Sequence, residues 1–143
     1  MSVPDKQLER SAHEAFAFLF SDWNAKIVES RYERQNFGNG LVVIRAGNLL
    51  VRILRDRGQV SVEVGPENPS QWEWFDLERV IQILHGMTIG WPICDGTLTD
   101  LSRVLRENIP QLMSAFGVEQ FQTTKMKLQT ALEKALKPPV ARG

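Results

Sequence analysis

Residues 41–65 read LVVIRAGNLLVRILRDRGQVSVEVG, and this stretch decides the fold. Its last third alternates cleanly, with Val60, Val62 and Val64 set against Ser61 and Glu63. That period of two belongs to a sheet with one covered and one wetter face. Asp56-Arg57-Gly58 is a hairpin turn signal, and Ala46-Gly47-Asn48 is a second. Upstream, Asn36-Phe37-Gly38-Asn39-Gly40 supplies a glycine-rich loop. The pattern predicts four strands: Ala25 to Gln35, Leu41 to Ala46, Asn48 to Arg55 and Gln59 to Gly65. Three short connections in succession dictate an antiparallel meander, because parallel neighbours need a crossover of about a dozen residues. A dinucleotide-binding parallel sheet is thereby excluded.

On either side the period changes to that of a helix. Leu8, Ala12, Ala15, Phe16 and Leu19 predict a first helix from Asp5 to Ser21, with Phe18, Phe20 and Trp23 widening its apolar face. After the meander, Asp76 is placed to cap a short helix carrying Leu77, Val80, Ile81 and Leu84. Leu98, Leu101, Leu105, Ile109, Leu112 and Phe116 form a longer stripe that runs across Pro110. An interior proline costs about 3 kcal/mol, so the chain is expected to kink there or start a fresh helix at Asn108 or Ile109. Gly117 is expected to interrupt this stripe before a last helix with Val118, Phe121, Leu128, Leu132 and Leu136. Pro138-Pro139 ends that helix, and residues 138–143 are expected to be loosely ordered. The whole is a single α+β domain over 1–143: a helix, a four-stranded antiparallel meander, then three or four helices packed on one sheet face.

The 143 residues can bury about two thirds of the surface exposed by the unfolded chain, enough for a core without metal or disulfide staples. Seventeen basic and seventeen acidic residues give zero net charge, which argues against a chain whose whole body clamps nucleic acid. Locally the balance differs. Residues 66–117 hold seven acids and three bases, and residues 118–143 hold two acids and five bases. The charged N-terminus lacks the apolar core of a signal peptide, and no stretch reaches the roughly 18–20 apolar residues of a membrane span. A reduced, cytoplasmic setting with no membrane partner is the expectation.

No residue pattern specifies a reaction. His13 and His85 are the only histidines, and no HExxH or CxxC accompanies them, so neither a metal nor a cofactor is expected. His85 reads as a helix-terminal residue that meets the helix dipole favourably. Cys94 lies next to Asp95, which disfavours a thiolate, and it reads as a small buried hydrophobe rather than a nucleophile. Glu29, Arg31 and Glu33 share a parity and line one sheet face as acid, base and acid. Arg45, Arg52, Arg55 and Arg57 fall within the meander, yet the aromatics that would interleave them in a nucleic-acid binder are missing. No catalytic residue is assigned.

The aromatic cluster is more informative. Trp72, Trp74 and Phe75 lie close together in a stretch introduced by Pro69, and Trp91 follows the next helix. Such rings either seal the junction between helix and sheet or form a recognition patch. The functional expectation is the second, a partner-binding surface of Trp72, Glu73, Trp74 and Asp76. The alternative is a small-molecule or enzyme pocket near Trp72, His85, Trp91 and Asp95. The terminal helix can pack on its own core or on a second copy, and both stay open.

The order of elements, with Tyr32-Glu33, Phe37-Gly38-Asn39, Leu50-Val51, Asp56-Arg57-Gly58 and Val62-Glu63-Val64, resembles the small uncharacterised bacterial immunity-type proteins that accompany secreted toxins. The resemblance covers residues 16–84 and brings no functional residue with it. It implies a non-enzymatic protein that binds another protein, neutralising or regulating it.

Overall fold

The computed structural model describes residues 3–34, 38–89 and 92–136. Gln35, Phe37, Trp91 and the 138–143 tail lie outside the described residues. The elements are α1 (Lys6–Ala15), α2 (Ala17–Asp22), β1 (Lys26–Glu33), β2 (Asn39–Ala46), β3 (Leu49–Asp56), β4 (Gln59–Pro66), β5 (Phe75–Asp76), α3 (Leu77–Leu84), α4 (Leu98–Ala115) and α5 (Phe121–Leu136). The strands lie side by side in chain order and every pairing is antiparallel. The α+β class read from the sequence holds.

The tight turn after β3 sets the register. Arg57 and Gly58 take φ of +53° and +81°, the two left-handed conformations that match a hairpin to the twist of its strands. Asp56 then faces Gln59, and counting back pairs Ile53 with Val62 and Arg52 with Glu63. One face carries Val42, Ile44, Ala46, Val51, Ile53, Val62 and Val64, which join one core with Leu8, Phe16, Leu77, Val80, Leu105 and Leu112. Among the described residues every buried apolar side chain of the helices belongs to that core, which places the helices on one face. Leu41 and Val43 are buried yet lie by register on the opposite, open face.

The structure departs from the sequence expectation at three elements. A fifth strand, β5, adds to the meander where Phe75 pairs with Val64; two residues are too few to show a period. The first helix breaks at Phe16 (φ −108°, ψ 31°), with no glycine or proline to mark it. On either side of the break Phe16 and Leu19 stay in the core, as residues three apart would on one helix face, while Phe18 and Phe20 pack at its margin. Finally, α4 continues through Pro110 as one helix, with no fresh start at Asn108 or Ile109. Proline removes the hydrogen bond to the Arg106 carbonyl, but both residues are exposed, so water can take the missing donor's place.

The start of α1 is tied down by a buried acid. Asp5, 3% exposed, caps α1 by accepting from the Leu8 N–H at 2.9 Å. Its other oxygen pairs with Arg55, whose guanidinium also donates to the Gly38 carbonyl. Gly40 lies directly beneath, and a Cβ there would collide with the Asp5 carboxylate. Ser30 completes the anchor: its Oγ accepts from Asp5 N at 2.9 Å and donates to Glu9 at 2.8 Å.

Candidate protein-binding face

The segment between β4 and α3 is held at several points. Asn68 turns the chain with φ +56°, and the Glu73 N–H donates to the Ser70 carbonyl at 3.0 Å. The Glu73 carboxylate closes the same turn by accepting from Ser70 N at 3.0 Å, and its other oxygen meets Lys125 Nζ of α5 at 2.9 Å. Those two partners, the Ser70 amide foremost, hold the Glu73 carboxyl below its ordinary pKa. Asp76 ends the segment as the cap of α3, accepting from Arg79 N at 3.3 Å. Burial raises its pKa, and the neighbouring Glu78 and Glu63 add to the rise against the pull of the Arg79 amide.

This scaffold sends the three rings in different directions. Phe75 points into the core, 6.4 Å from Phe116 between ring centroids. Trp74 lies half-buried against the open sheet face, where Gly65 permits its close approach: a Cβ on Gly65 would stand 3.1 Å from the indole. Trp72 is 73% exposed. The four residues expected at the patch thus occupy one tethered segment in distinct situations: Trp72 in solvent, Trp74 on the sheet, Glu73 paired and Asp76 capping.

The open face continues from Trp74. Arg52 lies over its ring, and Leu50 and Leu54 are half-buried beside it, with Arg45 and Ser61 exposed. Glu29, Arg31 and Glu33 line the far strand of this face, paired with Val43, Leu41 and Asn39. Arg55 shares the parity of Val51 and Ile53 and so lies on the helical side, where it pairs with Asp5, and the meander arginines do not form one stripe. The Arg52–Glu63 pair escaped the sequence reading, although the Asp56-Arg57-Gly58 turn implied it by register.

Of the residues proposed for a small-molecule pocket, Trp91 lies outside the described residues and Trp72 stands in solvent, while His85 and Asp95 have other engagements. His85 caps α3 and meets Gln111 Oε1 at 3.0 Å. Asp95 accepts from Thr97 N and Oγ1 before α4. Cys94 donates to Glu78 Oε1 at 3.3 Å, and burial, then that carboxylate, push its pKa up. Among the described residues no cluster of three or more His, Cys, Asp or Glu could hold a metal ion, and no helix is long and apolar enough to cross a membrane.

A cleft that the sequence did not announce opens on the other side of Glu73. Asn48, Pro66, Glu67, Phe116 and Val118 line it together with Glu73, and its volume is about 240 Å³. Asn48 braces this corner by donating to the Met113 carbonyl at 2.9 Å. No family model matches the chain, and comparisons with curated proteins and with solved structures give no match.

Proposed function

We propose that this protein works by binding another protein, through a surface centred on Trp72 and edged by Glu73, Trp74 and Asp76. The observation that carries the reading is the 73% exposure of Trp72 on a segment tethered to both α5 and the sheet. An indole held in water on a fixed loop offers large contact area at small entropic cost. The open sheet face beside it gives further area for a partner. A neutralising or regulating action is what the sequence resemblance of residues 16–84 to immunity-type proteins implies, and the reduced cytoplasmic setting rests separately on the charged N-terminal residues and the single cysteine.

Affinity capture from native host lysate, with wild-type and Trp72→Ala baits side by side, tests this. A protein retained by the wild type and lost by a fully folded Trp72→Ala bait is the expected result. Identical capture by both baits would move the interface away from Trp72.

A further inference from the structure

From Glu63 to Glu78 the chain carries five acids, Glu63, Glu67, Glu73, Asp76 and Glu78, and no lysine or arginine. Two gain a cation from elsewhere in the fold, Arg52 on Glu63 and Lys125 on Glu73. Among the described residues the other three make no ion pair; Asp76 and Glu78 accept only hydrogen bonds from Arg79 N, Ile93 N and Cys94. The segment bearing Trp72 is therefore left with surplus negative charge.

The cleft on this segment sets one of those three acids, Glu67, beside an apolar wall. Phe116 is buried at its base, packed 5.5 Å from the Phe121 ring, while Val118 stands 89% exposed at its mouth. Glu67 is exposed at the rim. At about 240 Å³ the cleft falls below the ~300–1,000 Å³ of most small-molecule sites. It suits a single long side chain. Lysine and arginine have the matching form, an aliphatic stem that packs on apolar surface and a charged head kept at the edge.

We propose that the cleft between Glu67 and Val118 receives a lysine or arginine side chain from a basic segment of the partner, with its stem against Val118 and Pro66 and its head at Glu67. Trp72, one residue from Glu73, offers its indole face to a second cation of the same segment. This rests on the protein-binding reading above and adds the partner's chemistry to it. The occupant is a basic partner rather than a lipid or nucleotide, because the one lining charge that makes no ion pair among the described residues is the Glu67 carboxylate.

The full chain, ¹⁵N-labelled, is titrated with a blocked nonapeptide alternating lysine and leucine, and separately with its glutamate-for-lysine twin. The lysine peptide should shift the amides of Gly117 and Val118 and the Trp72 indole N–H, with salt weakening the effect; the twin should shift none. Glu67→Lys should weaken binding of the lysine peptide by about tenfold or more, and Glu67→Gln by less. Equal binding of both peptides, no shift at the cleft, or unchanged affinity in Glu67→Lys overturns the proposal. So does concentration-dependent self-association abolished by Glu67→Lys, which makes the basic C-terminal end of a second copy the occupant. If the lysine peptide fails while Trp72→Ala still loses a captured partner, the basic chemistry falls and the protein-binding reading stands. If the peptide binds as described while both baits capture alike, the cleft stands and the Trp72-centred reading falls.

Discussion

Arg52 lies over the Trp74 ring, its guanidinium carbon 4.3 Å from the centroid, while its Nε donates to Glu63 Oε1 at 2.8 Å. Ring, cation and carboxylate thus join β3, β4 and the segment before β5 on the face that the helices leave open. The arrangement separates the duties of two tryptophans that are two residues apart.

Trp74→Ala should lower folding stability by about 1–3 kcal/mol, since a half-buried ring leaves Arg52 and Gly65 exposed. Trp72→Ala should change it by less than about 0.5 kcal/mol while removing about 2 kcal/mol or more of partner affinity. Chemical denaturation and calorimetric titration against the captured partner measure the two effects. Comparable stability losses would give both indoles a structural duty.

Asp5→Ala should cost about 2–4 kcal/mol, because it removes the cap of α1 and leaves Arg55 without its carboxylate. Gly40→Ala should reach a similar loss by another route, since its methyl displaces the Asp5 side chain from both partners. Equilibrium unfolding in urea reads both. A neutral Gly40→Ala would mean that Asp5 moves without losing its bonds.

Acid should loosen the Trp72 segment. The folded state holds Glu73 below its ordinary pKa, so the stabilisation from Ser70 and Lys125 is fully present above the unfolded carboxyl pKa. It is lost as pH falls through the lower folded value. Tryptophan fluorescence followed through that acid range should change in the wild type, and the portion due to this segment should be missing in Glu73→Gln. Asp76 has the opposite sign: burial raises its pKa, so ionising it costs folding free energy as pH rises from the unfolded to the folded pKa. Asp76→Asn, which keeps a capping side chain, should remove that cost, whereas Asp76→Ala should lose about 0.5–2 kcal/mol of capping.

Cys94 should be chemically quiet. Its thiol donates to Glu78 and its pKa is raised, so alkylation by iodoacetamide at mildly alkaline pH should be slower than for a free cysteine. Cys94→Ser should keep the fold and partner binding, since a hydroxyl can donate to the same carboxylate. Fast alkylation, or lost binding in a folded Cys94→Ser variant, would give the thiol a functional duty.

The meander was legible because its signals are local. Alternation in Val60–Val64 marks a strand and its covered face, and the Asp56-Arg57-Gly58 turn sets the pairing by backbone sterics alone. The Asp76 cap is local in the same sense, a side chain bonding an amide three residues on. The uninterrupted helix through Pro110 was not legible, because the cost of proline depends on whether water reaches the carbonyl it strands.

The directions of Trp72, Trp74 and Phe75 belong to the tertiary structure. A segment of turn and irregular backbone has no period to read, so adjacent rings can enter water, sheet face or core. What sorts them comes from far along the chain: Lys125 on Glu73, Gly65 beneath Trp74, and Phe116 beside Phe75. The cleft at Val118 has the same origin, since Asn48, Pro66 and Phe116 become neighbours only when α4 ends against the sheet. Composition put aromatic rings and acids in one stretch; long-range packing left one indole in water and a carboxylate at the rim of an apolar cleft.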